Sequence, residues 1–296
     1  MTINIEQVRE FIRNNPKLKL LEQVPYTDAN EPQQFPIQFA DYVGDEIEIA
    51  ILDLETTGLD CKVHEIIELG YIKALVSLST GNIVELRYCK SLFEQPQTPI
   101  TEEITGITHI TNEMVAGKYI PDQEVETDLT SVQLIIAHNA NFDRGFFDKR
   151  FPNLANMPWA CSIKDVDWTK YGLEGNKLLY LLFQCGYHYN AHRADIDCIA
   201  TLRLFQENVG SMGDILNQAL NEQVRIHCYT APFRVKDALK ERGYRWNTKA
   251  DIHHWYIDIP VEDYDAERAW LTDLTPNQVR NYTETRLTRF NRYKQS

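Results

Sequence analysis

Runs of apolar residues recur along the chain and are separated by polar segments that contain glycine or proline. Residues 47–54 are almost continuously apolar, which is typical of a strand buried on both faces of a sheet. Residues 71–78 and 83–88 flank a Ser-Thr-Gly-Asn sequence that predicts a hairpin turn. Residues 132–137 form a further apolar run. The pattern therefore predicts several strands of one sheet, beginning near residue 46.

Helical spacing becomes common after the last of these strands. Phe142, Phe146 and Phe147 have the spacing of one helical face, and residues 178–183 and 194–205 predict two further helices. Strands that come first and then alternate with helices are typical of a mixed α/β sandwich. We therefore expect a mixed sheet with flanking helices.

The composition places the chain among ordinary globular proteins, with 43% hydrophobic and 25% charged residues. No run of about 18 apolar residues is present to span a membrane. The first residues, Met-Thr-Ile-Asn-Ile-Glu, lack a basic and apolar leader, so we expect a cytoplasmic protein without a membrane partner. The six cysteines are scattered without a C-x-x-C pair, which predicts reduced thiols rather than disulfides or a zinc site.

Charge is distributed unevenly. The chain has 30 basic and 43 acidic residues, a net charge of −13, which argues against a protein that coats nucleic acid through bulk charge. Residues 1–224 carry a net charge of −16, whereas residues 225–296 carry +3. A shift of this size predicts two modules with different roles.

These patterns together predict five segments. The first begins with helical spacing at Ile5, Val8 and Phe11 and continues as a polar stretch broken by prolines. The expected segments are an N-terminal helix and extended linker over 1–45, an α/β domain over 46–208, a connecting helix or linker over 209–224, a small α+β module over 225–275 and a basic tail over 276–296.

Two carboxylates interrupt the first apolar strand at its end. Asp53 and Glu55 are two residues apart, so they point to the same face of a strand. Like charges side by side near a core are costly unless a cation neutralises them. The alternative is that the strand ends here and both side chains reach solvent before the turn at Thr56-Thr57-Gly58.

Two further acidic segments lie at predicted helix starts, at residues 138–143 and 192–197. An acid in a first helical turn is favoured by the helix dipole alone, so each segment also has a purely structural explanation. Strand ends and helix starts nevertheless converge at one edge of an α/β sheet. The acids that would meet there are Asp53, Glu55, Asp143 and Asp197. This all-oxygen set suits Mg²⁺ or Mn²⁺, and two such ions would balance four negative charges.

Three segments together resemble the exonuclease motifs of the DEDD superfamily: 53–58 (DLETTG), 138–143 (HNANFD) and 192–197 (HRADID). The third segment has a histidine five residues before its last aspartate, and in this it resembles the DEDDh subgroup. That subgroup includes the proofreading subunit of the bacterial replicative polymerase and ribonuclease T. Residues 105–108 and 159–162 also resemble family segments, and the resemblance covers roughly residues 46–208. The chain departs from the family at His109, where an acid is frequent, and at Ser162, where threonine is frequent.

The resemblance implies a ribonuclease-H-like sheet, two bound Mg²⁺ or Mn²⁺ ions and stepwise release of nucleoside 5′-monophosphates from a 3′ end. The implied metal ligands are Asp53, Glu55, Asp143 and Asp197, with Asp53 bridging both ions. His192 is the implied general base, because imidazole is the side chain that most often exchanges protons near neutral pH. We expect the substrate to contact Thr56, Thr57, Gly58, His138 and Asn139.

The C-terminal region combines basic and aromatic residues. Residues 225–258 predict a strand, a helix and a hairpin, followed by a helix over 261–274. Residues 225–257 contain seven basic and three acidic side chains, interleaved with Tyr229, Tyr244, Trp246, Trp255 and Tyr256. Cations beside stacking surfaces are typical of single-strand binding, but the same aromatics could form the module's own small core. Residues 279–296 predict either a nucleic-acid-binding arm or a frayed basic terminus.

The sequence therefore predicts a metal-dependent 3′–5′ exonuclease that acts on single-stranded nucleic acid, with DNA favoured, in proofreading or repair. The predicted partners are single-stranded DNA or RNA 3′ ends and a DNA polymerase or sliding clamp. A sliding clamp is included because residues 34–39 (QFPIQF) loosely resemble a clamp-binding peptide. A packed aromatic linker is the simpler interpretation of this segment. The alternatives are an RNA-trimming exoribonuclease and a non-catalytic scaffold on the same fold. The presence of all five motif residues argues against the scaffold.

Overall fold

The structure is a computed structural model that describes residues 4–27, 33–248, 252–274 and 282–294. The chain divides into two compact units, Met1–Leu216 with Tyr293–Ser296, and Asn217–Arg292. The strands in chain order are β1 (Glu22–Gln23), β2 (Ile37–Gln38), β3 (Glu46–Thr56), β4 (Ile66–Ser77), β5 (Ile83–Phe93), β6 (Leu134–Ala137), β7 (Trp159–Cys161), β8 (Tyr187–His188), β9 (Gln223–Cys228), β10 (Arg245–Asn247), β11 (His254–Pro260) and β12 (Tyr282–Leu287). The α-helices are α1 (Ile5–Arg13), α2 (Glu102–Thr108), α3 (Asn112–Val115), α4 (Asp122–Thr130), α5 (Ala140–Arg150), α6 (Leu178–Cys185), α7 (Ala194–Glu207), α8 (Ser211–Leu220), α9 (Lys236–Glu241) and α10 (Tyr264–Leu274).

A mixed sheet forms the centre of the first unit. Its strands lie in the order β2-β5-β4-β3-β6-β7 within the described ranges. Strand β4 is antiparallel to both β3 and β5, whereas β6 runs parallel to β3 and to β7. The predicted apolar strand is therefore central, which explains why it has no polar face until its end. This arrangement confirms the predicted α/β fold, a ribonuclease-H-like mixed sheet with flanking helices.

The two faces of β3 pack against different helices. Ala50, Leu52 and Leu54 point into a core that includes Phe146 and Phe147 of α5. The alternate positions include Asp53, which lies opposite Gly70 in the register of β3 with β4. Helix α7 packs against β4 and β3. Because strand side chains alternate, Asp53 and Glu55 face α7 and not the α5 core.

Gly70 allows α7 to approach the sheet closely. A Cβ atom at this position would lie 2.2 Å from the carbonyl carbon of Ala194 and 2.3 Å from the amide nitrogen of Asp195. The Cys198 thiol also donates to the carbonyl oxygen of Gly70, at 3.4 Å. The backbone of α7 therefore rests directly on the strand that lies beside Asp53.

The N-terminal segment is partly different from the prediction. The expected helix is confirmed as α1, but the proline-containing stretch also supplies two short strands. Strand β1 pairs with β8, and β2 pairs with β5, so residues 34–39 include an edge strand of the main sheet. Phe39 continues this pairing by donating to the carbonyl oxygen of Val84, at 2.8 Å. Strands of two residues have no periodicity, so the sequence pattern does not reveal them.

The second unit is a small α+β fold, as predicted. Its elements follow the order β9-α9-β10-β11-α10-β12, and its antiparallel sheet has the order β10-β11-β9-β12 among the described strands. This is the split βαβ arrangement. The predicted hairpin is confirmed, although its residues 249–251 lie outside the described residues. The expected basic tail differs, because Tyr282–Leu287 forms β12 beside β9, whereas residues 276–281 lie outside the described residues.

The predicted state of the cysteines is confirmed. All six are free, and four of them are buried. Burial raises the pKa of both Cys161 and Cys228 to about 11, so these thiols remain protonated near neutral pH. Among the helices of the described ranges, none combines the length and apolar character needed to cross a membrane.

Gly70→Ala should destabilise the first unit by about 1–3 kcal/mol, because the added methyl group has no free space and α7 must move. Urea unfolding followed by circular dichroism measures this change. The matched control is Gly106→Ala in α2, where a Cβ meets nothing within 4 Å and alanine should stabilise by about 0.5–1 kcal/mol. Equal stability of the Gly70→Ala protein and the wild type would contradict the close approach of α7.

Candidate active site

Carboxylates from separate segments meet where β3 ends and α7 begins. Asp53 and Glu55 of β3 and Asp197 of α7 each offer an oxygen atom, and these atoms lie within 4.8 Å of one another. Asp143 lies in the first turn of α5 and is 2% exposed. It interacts electrostatically with Asp53, Glu55 and Asp197. The structure thus brings together the four acids that the sequence singled out.

Burial makes the charged forms of these acids unfavourable. It raises the pKa of Glu55 and of Asp143 to about 8, and it also raises the pKa of Asp53 and Asp197. Repulsion from neighbouring carboxylates raises the pKa of Asp53, Glu55 and Asp143 further. A crowded set of oxygen donors with uncompensated charge fits a divalent metal ion, because bound cations reverse this pKa pattern.

Three hydrogen bonds orient Asp197. The Tyr189 hydroxyl donates to its Oδ1 atom at 2.8 Å, and the backbone N–H groups of His192 and Arg193 donate to Oδ2 at 2.9 and 3.2 Å. His192 itself has an exposed side chain and a left-handed backbone with φ of 70°. The Asp197 carboxylate therefore faces the other acids and also holds the loop that contains His192 in place. Sequence reasoning missed Tyr189, because it lies outside the three motifs.

A buried ion pair fixes the same loop from its other side. Glu68, with no exposed surface, accepts from Arg193 Nε at 3.2 Å and Nη2 at 3.1 Å, and from the Ala194 N–H at 3.2 Å. The Ser91 hydroxyl also donates to Glu68. Because Glu68 lies opposite Glu55 in the sheet, this pair fastens the start of α7 beside the acids. Sequence reasoning did not select Glu68 or Arg193 as individual site residues.

His138 is held by protein groups. Its Nδ1 lies 2.7 Å from Ser162 Oγ, and its Nε2 lies 2.8 Å from the carbonyl oxygen of Asn176. A carbonyl only accepts, so we assign the ring proton to Nε2, and the Ser162 hydroxyl then donates to Nδ1. Burial lowers the pKa of His138 to about 4, so the ring is neutral at physiological pH. Neither ring nitrogen is left for a substrate in this arrangement.

The predicted substrate residues after β3 form a tight turn. The Thr56 hydroxyl donates to the carbonyl oxygen of Gly58 at 2.6 Å, and Thr57 Oγ1 accepts from the Glu65 N–H at 3.1 Å. A Cβ on Gly58 would lie 2.5 Å from the His64 ring, so only glycine fits without displacement of that ring. The other predicted contact, Asn139, is exposed and makes no side-chain capping bond to α5.

Comparison with known proteins gives one family match. The family model described as exonuclease, RNase_T, matches residues 50–205, more than half of the chain. A curated relative, the PolC-type DNA polymerase III of Staphylococcus aureus strain bovine RF122 / ET3-1, is 30% identical, and the match covers 63% of this chain. The same match covers only 12% of the polymerase.

Two solved structures are similar to part of this chain, with TM-scores below 0.5. Exonuclease X in complex with 5′-overhanging duplex DNA is 25% identical, with a TM-score of 0.41, over 56% of this chain and 98% of the other. A 3′-exonuclease that recognises the 3′ end of a histone mRNA stem-loop is 20% identical, with a TM-score of 0.45. That match covers 63% of this chain and 70% of the other.

Without divalent cations, the protein should lose thermal stability as the pH rises from about 5 to about 9. The raised native pKa values mean that the folded chain binds more protons than the unfolded chain between about pH 4 and pH 8. Raising the pH therefore favours unfolding. Calorimetry in EDTA at a series of pH values measures the slope.

In the same experiment at pH 8, Asp53→Asn should raise Tm, by about 2–4 °C for each kcal/mol of repulsion removed. The control Asp60→Asn changes an exposed acid outside the cluster and should leave Tm unchanged. A Tm that is lowered by Asp53→Asn would contradict the repulsion.

Tyr189→Phe should weaken divalent-metal binding about 10-fold, because Asp197 loses the hydrogen bond that orients its Oδ1 atom. Titration calorimetry with Mn²⁺ measures the dissociation constant. The matched control is Tyr180→Phe on the exposed side of α6, which should leave metal affinity unchanged. Identical affinities for the two variants would show that Tyr189 does not position Asp197.

Proposed function

The chain belongs to the exonuclease family, and on this premise we propose that it is a DEDDh-type 3′–5′ exonuclease that degrades single-stranded nucleic acid, preferring DNA. We propose that each cycle releases one nucleoside 5′-monophosphate. The observation that supports this proposal is the convergence of Asp53, Glu55 and Asp197, with Asp143 beside them, next to the loop that carries His192.

The residues of the cluster suit two divalent cations, which we propose to be Mg²⁺ or Mn²⁺. All four donors are carboxylates, and their raised pKa values reflect a disfavoured negative charge that a bound cation would relieve. Asp53 is the proposed shared ligand, because it interacts with each of the other three acids. When bound, such ions supply the positive charge that activates a water molecule and stabilises the leaving oxygen.

The remaining chemistry belongs to the protein. We propose that an imidazole nitrogen of His192 takes the proton of the attacking water and returns it to solvent, which its exposed position on the loop permits. The hydrogen bonds from the His192 and Arg193 backbone to Asp197 hold the backbone that carries this base beside the acids. The backbone of the Thr56–Gly58 turn and Asn139 are the proposed contacts to the substrate strand.

The choice of DNA, with a role in proofreading or repair, rests on the relationship to a DNA polymerase. This chain spans 12% of that polymerase, so a polymerase partner is likewise a proposal. A sliding clamp is a weaker proposal, because residues 34–39 would have to release the pairing of β2 with β5 before they bound a clamp. A cytoplasmic location would suit such a role.

A 5′-labelled oligonucleotide with Mg²⁺ should yield a ladder that shortens from the 3′ end, and EDTA should abolish the ladder. Asp53→Ala should lower the rate at least about 100-fold, because the cluster loses the carboxylate that interacts with each of the other three acids. Gel electrophoresis of timed samples, run in parallel on matched DNA and RNA, measures the rate and the preference.

The control variant Asp60→Ala changes an exposed acid and should retain the wild-type rate. A faster rate on RNA would reverse the proposed preference. Retained binding without a ladder in Mg²⁺ or Mn²⁺ would contradict the hydrolytic function and favour a scaffold.

A further inference from the structure

The sheet of the second unit has two unlike faces. Along β9 and β11, alternate residues enter the core of this unit, where α9 and α10 contribute Leu239 and Leu271. The residues of the two strands that enter this core are Val224, Ile226, Cys228, Trp255, Ile257 and Ile259. The residues between them must point to the opposite side of the sheet. That side carries side chains of a different chemical character.

We define the outer face by the side chains that share this opposite side. Strand pairing places Arg245 of β10 opposite Tyr256 of β11, Tyr256 opposite His227 of β9, and His227 opposite Thr283 of β12. The neighbouring row contains Asp258, Arg225 and Thr285. The outer face comprises Arg225, His227, Arg245, Tyr256, Asp258, Thr283 and Thr285, together with Tyr229, which stacks on His227. Neither α9 nor α10 contributes to it, since Leu239 and Leu271 of these helices pack into the core on the other side.

Tyr256 lies at the centre of the outer face between two arginines. The guanidinium carbons of Arg225 and Arg245 lie 4.9 and 5.1 Å from the centre of its ring. Asp258 binds Arg225 through two hydrogen bonds of 2.6 and 2.9 Å and contacts Arg245 at 3.4 Å. One carboxylate thus orients two cations around one ring, and the cluster retains a net positive charge. The side chain of Arg245 is 52% exposed, so its charge is accessible.

A row of rings extends the cluster along β9. His227 stacks on Tyr229 with ring centres 6.0 Å apart and planes 11° apart, and Tyr229 is 36% exposed. His227 also lies 2.9 Å from His254 through ring nitrogens, and Thr285 Oγ1 is 3.3 Å from its other nitrogen. These contacts hold the ring upright on the sheet. The outer face therefore offers planar groups next to fixed cations and hydroxyls.

Acidic residues are concentrated elsewhere in the unit. The helical turn Val261–Asp263 and helix α10 carry Glu262, Asp263, Asp265, Glu267 and Asp273. Asp258 is the single acid among the outer-face residues defined above, and it is engaged with the arginines. A face of cations and aromatic rings, without an apolar patch, is complementary to a polyanion that carries planar bases.

We propose that the outer face binds single-stranded nucleic acid, at nucleotides other than the one being hydrolysed. This inference rests on the proposed function, because the strand bound here is the substrate of the active site. Arg225 and Arg245 contact phosphates, and Tyr256 and Tyr229 provide surfaces for bases or sugars. Binding here retains a long strand between cycles of hydrolysis, so it affects long substrates and leaves the shortest ones unaffected.

The test uses the full 296-residue chain in EDTA, where hydrolysis is suppressed, and fluorescence anisotropy with labelled 30-nucleotide oligo(dT) and oligo(rU). Tyr256→Ala and Arg245→Ala should each weaken binding about 10-fold. Arg245→Ala should also lower the slope of log affinity against log salt by about 0.7, the contribution of one phosphate contact on a single strand. Tyr256→Phe keeps the ring and should bind as the wild type does.

The matched control Arg268→Ala removes a cation from the exposed side of α10 and should leave affinity unchanged. Unchanged affinity of both Tyr256→Ala and Arg245→Ala would overturn the proposal and favour a protein partner for this face. An equal loss in Arg268→Ala would overturn it as well, since bulk charge would then explain binding. Arg245 is exposed, so its variant reports on the face even if Tyr256→Ala fails to fold.

Hydrolysis of a five-nucleotide substrate with Mg²⁺ separates this proposal from the proposed function. Tyr256→Ala and Arg245→Ala should hydrolyse it at the wild-type rate, because the outer face lies outside the acid cluster. A wild-type protein without activity on this substrate contradicts the exonuclease function alone, while the anisotropy measurements still decide whether the outer face binds a strand.

Discussion

Repulsion among four carboxylates that are wholly or partly buried is the constraint on which the rest of the structure depends. Asp53, Glu55, Asp143 and Asp197 have raised pKa values because burial disfavours their charge, and neighbouring acids raise three of these values further. An isolated strand or helix would turn such side chains toward water. The folded chain keeps them together only because β3, α5 and α7 are each fixed by the main sheet. A divalent cation converts this repulsion into a favourable interaction.

The scaffold meets this constraint through short backbone distances and a few buried polar contacts. Gly70 allows α7 to rest on β4, which brings Asp197 to the face that carries Asp53. The Glu68–Arg193 pair then fastens the start of α7, and Tyr189 sets the direction of the Asp197 carboxylate. These contacts act on the loop between them, so the position of His192 depends on groups from both sides.

The aromatic residues of the second unit lie on both faces of its sheet. Tyr244 and Trp255 are buried in its core, as the simpler interpretation of the aromatic residues predicts. Tyr256, the next residue along β11, lies on the opposite face beside two arginines. The interpretation as core residues is therefore confirmed for Tyr244 and Trp255, whereas Tyr256 lies outside that core. The alternation of side chains along a strand separates them, and composition alone does not.

The sequence by itself determined the central strand, the main helices and the four acids with His192, because these features are local. An apolar run, a helical period or a motif is visible within a few adjacent residues. Tertiary structure decided the roles of Tyr189, Glu68 and Gly70, the strands β2 and β12, and which aromatic residues face outward. Each of these depends on partners that are distant in the chain or on strand register. Such contacts leave no periodic signal, so only the folded chain defines them.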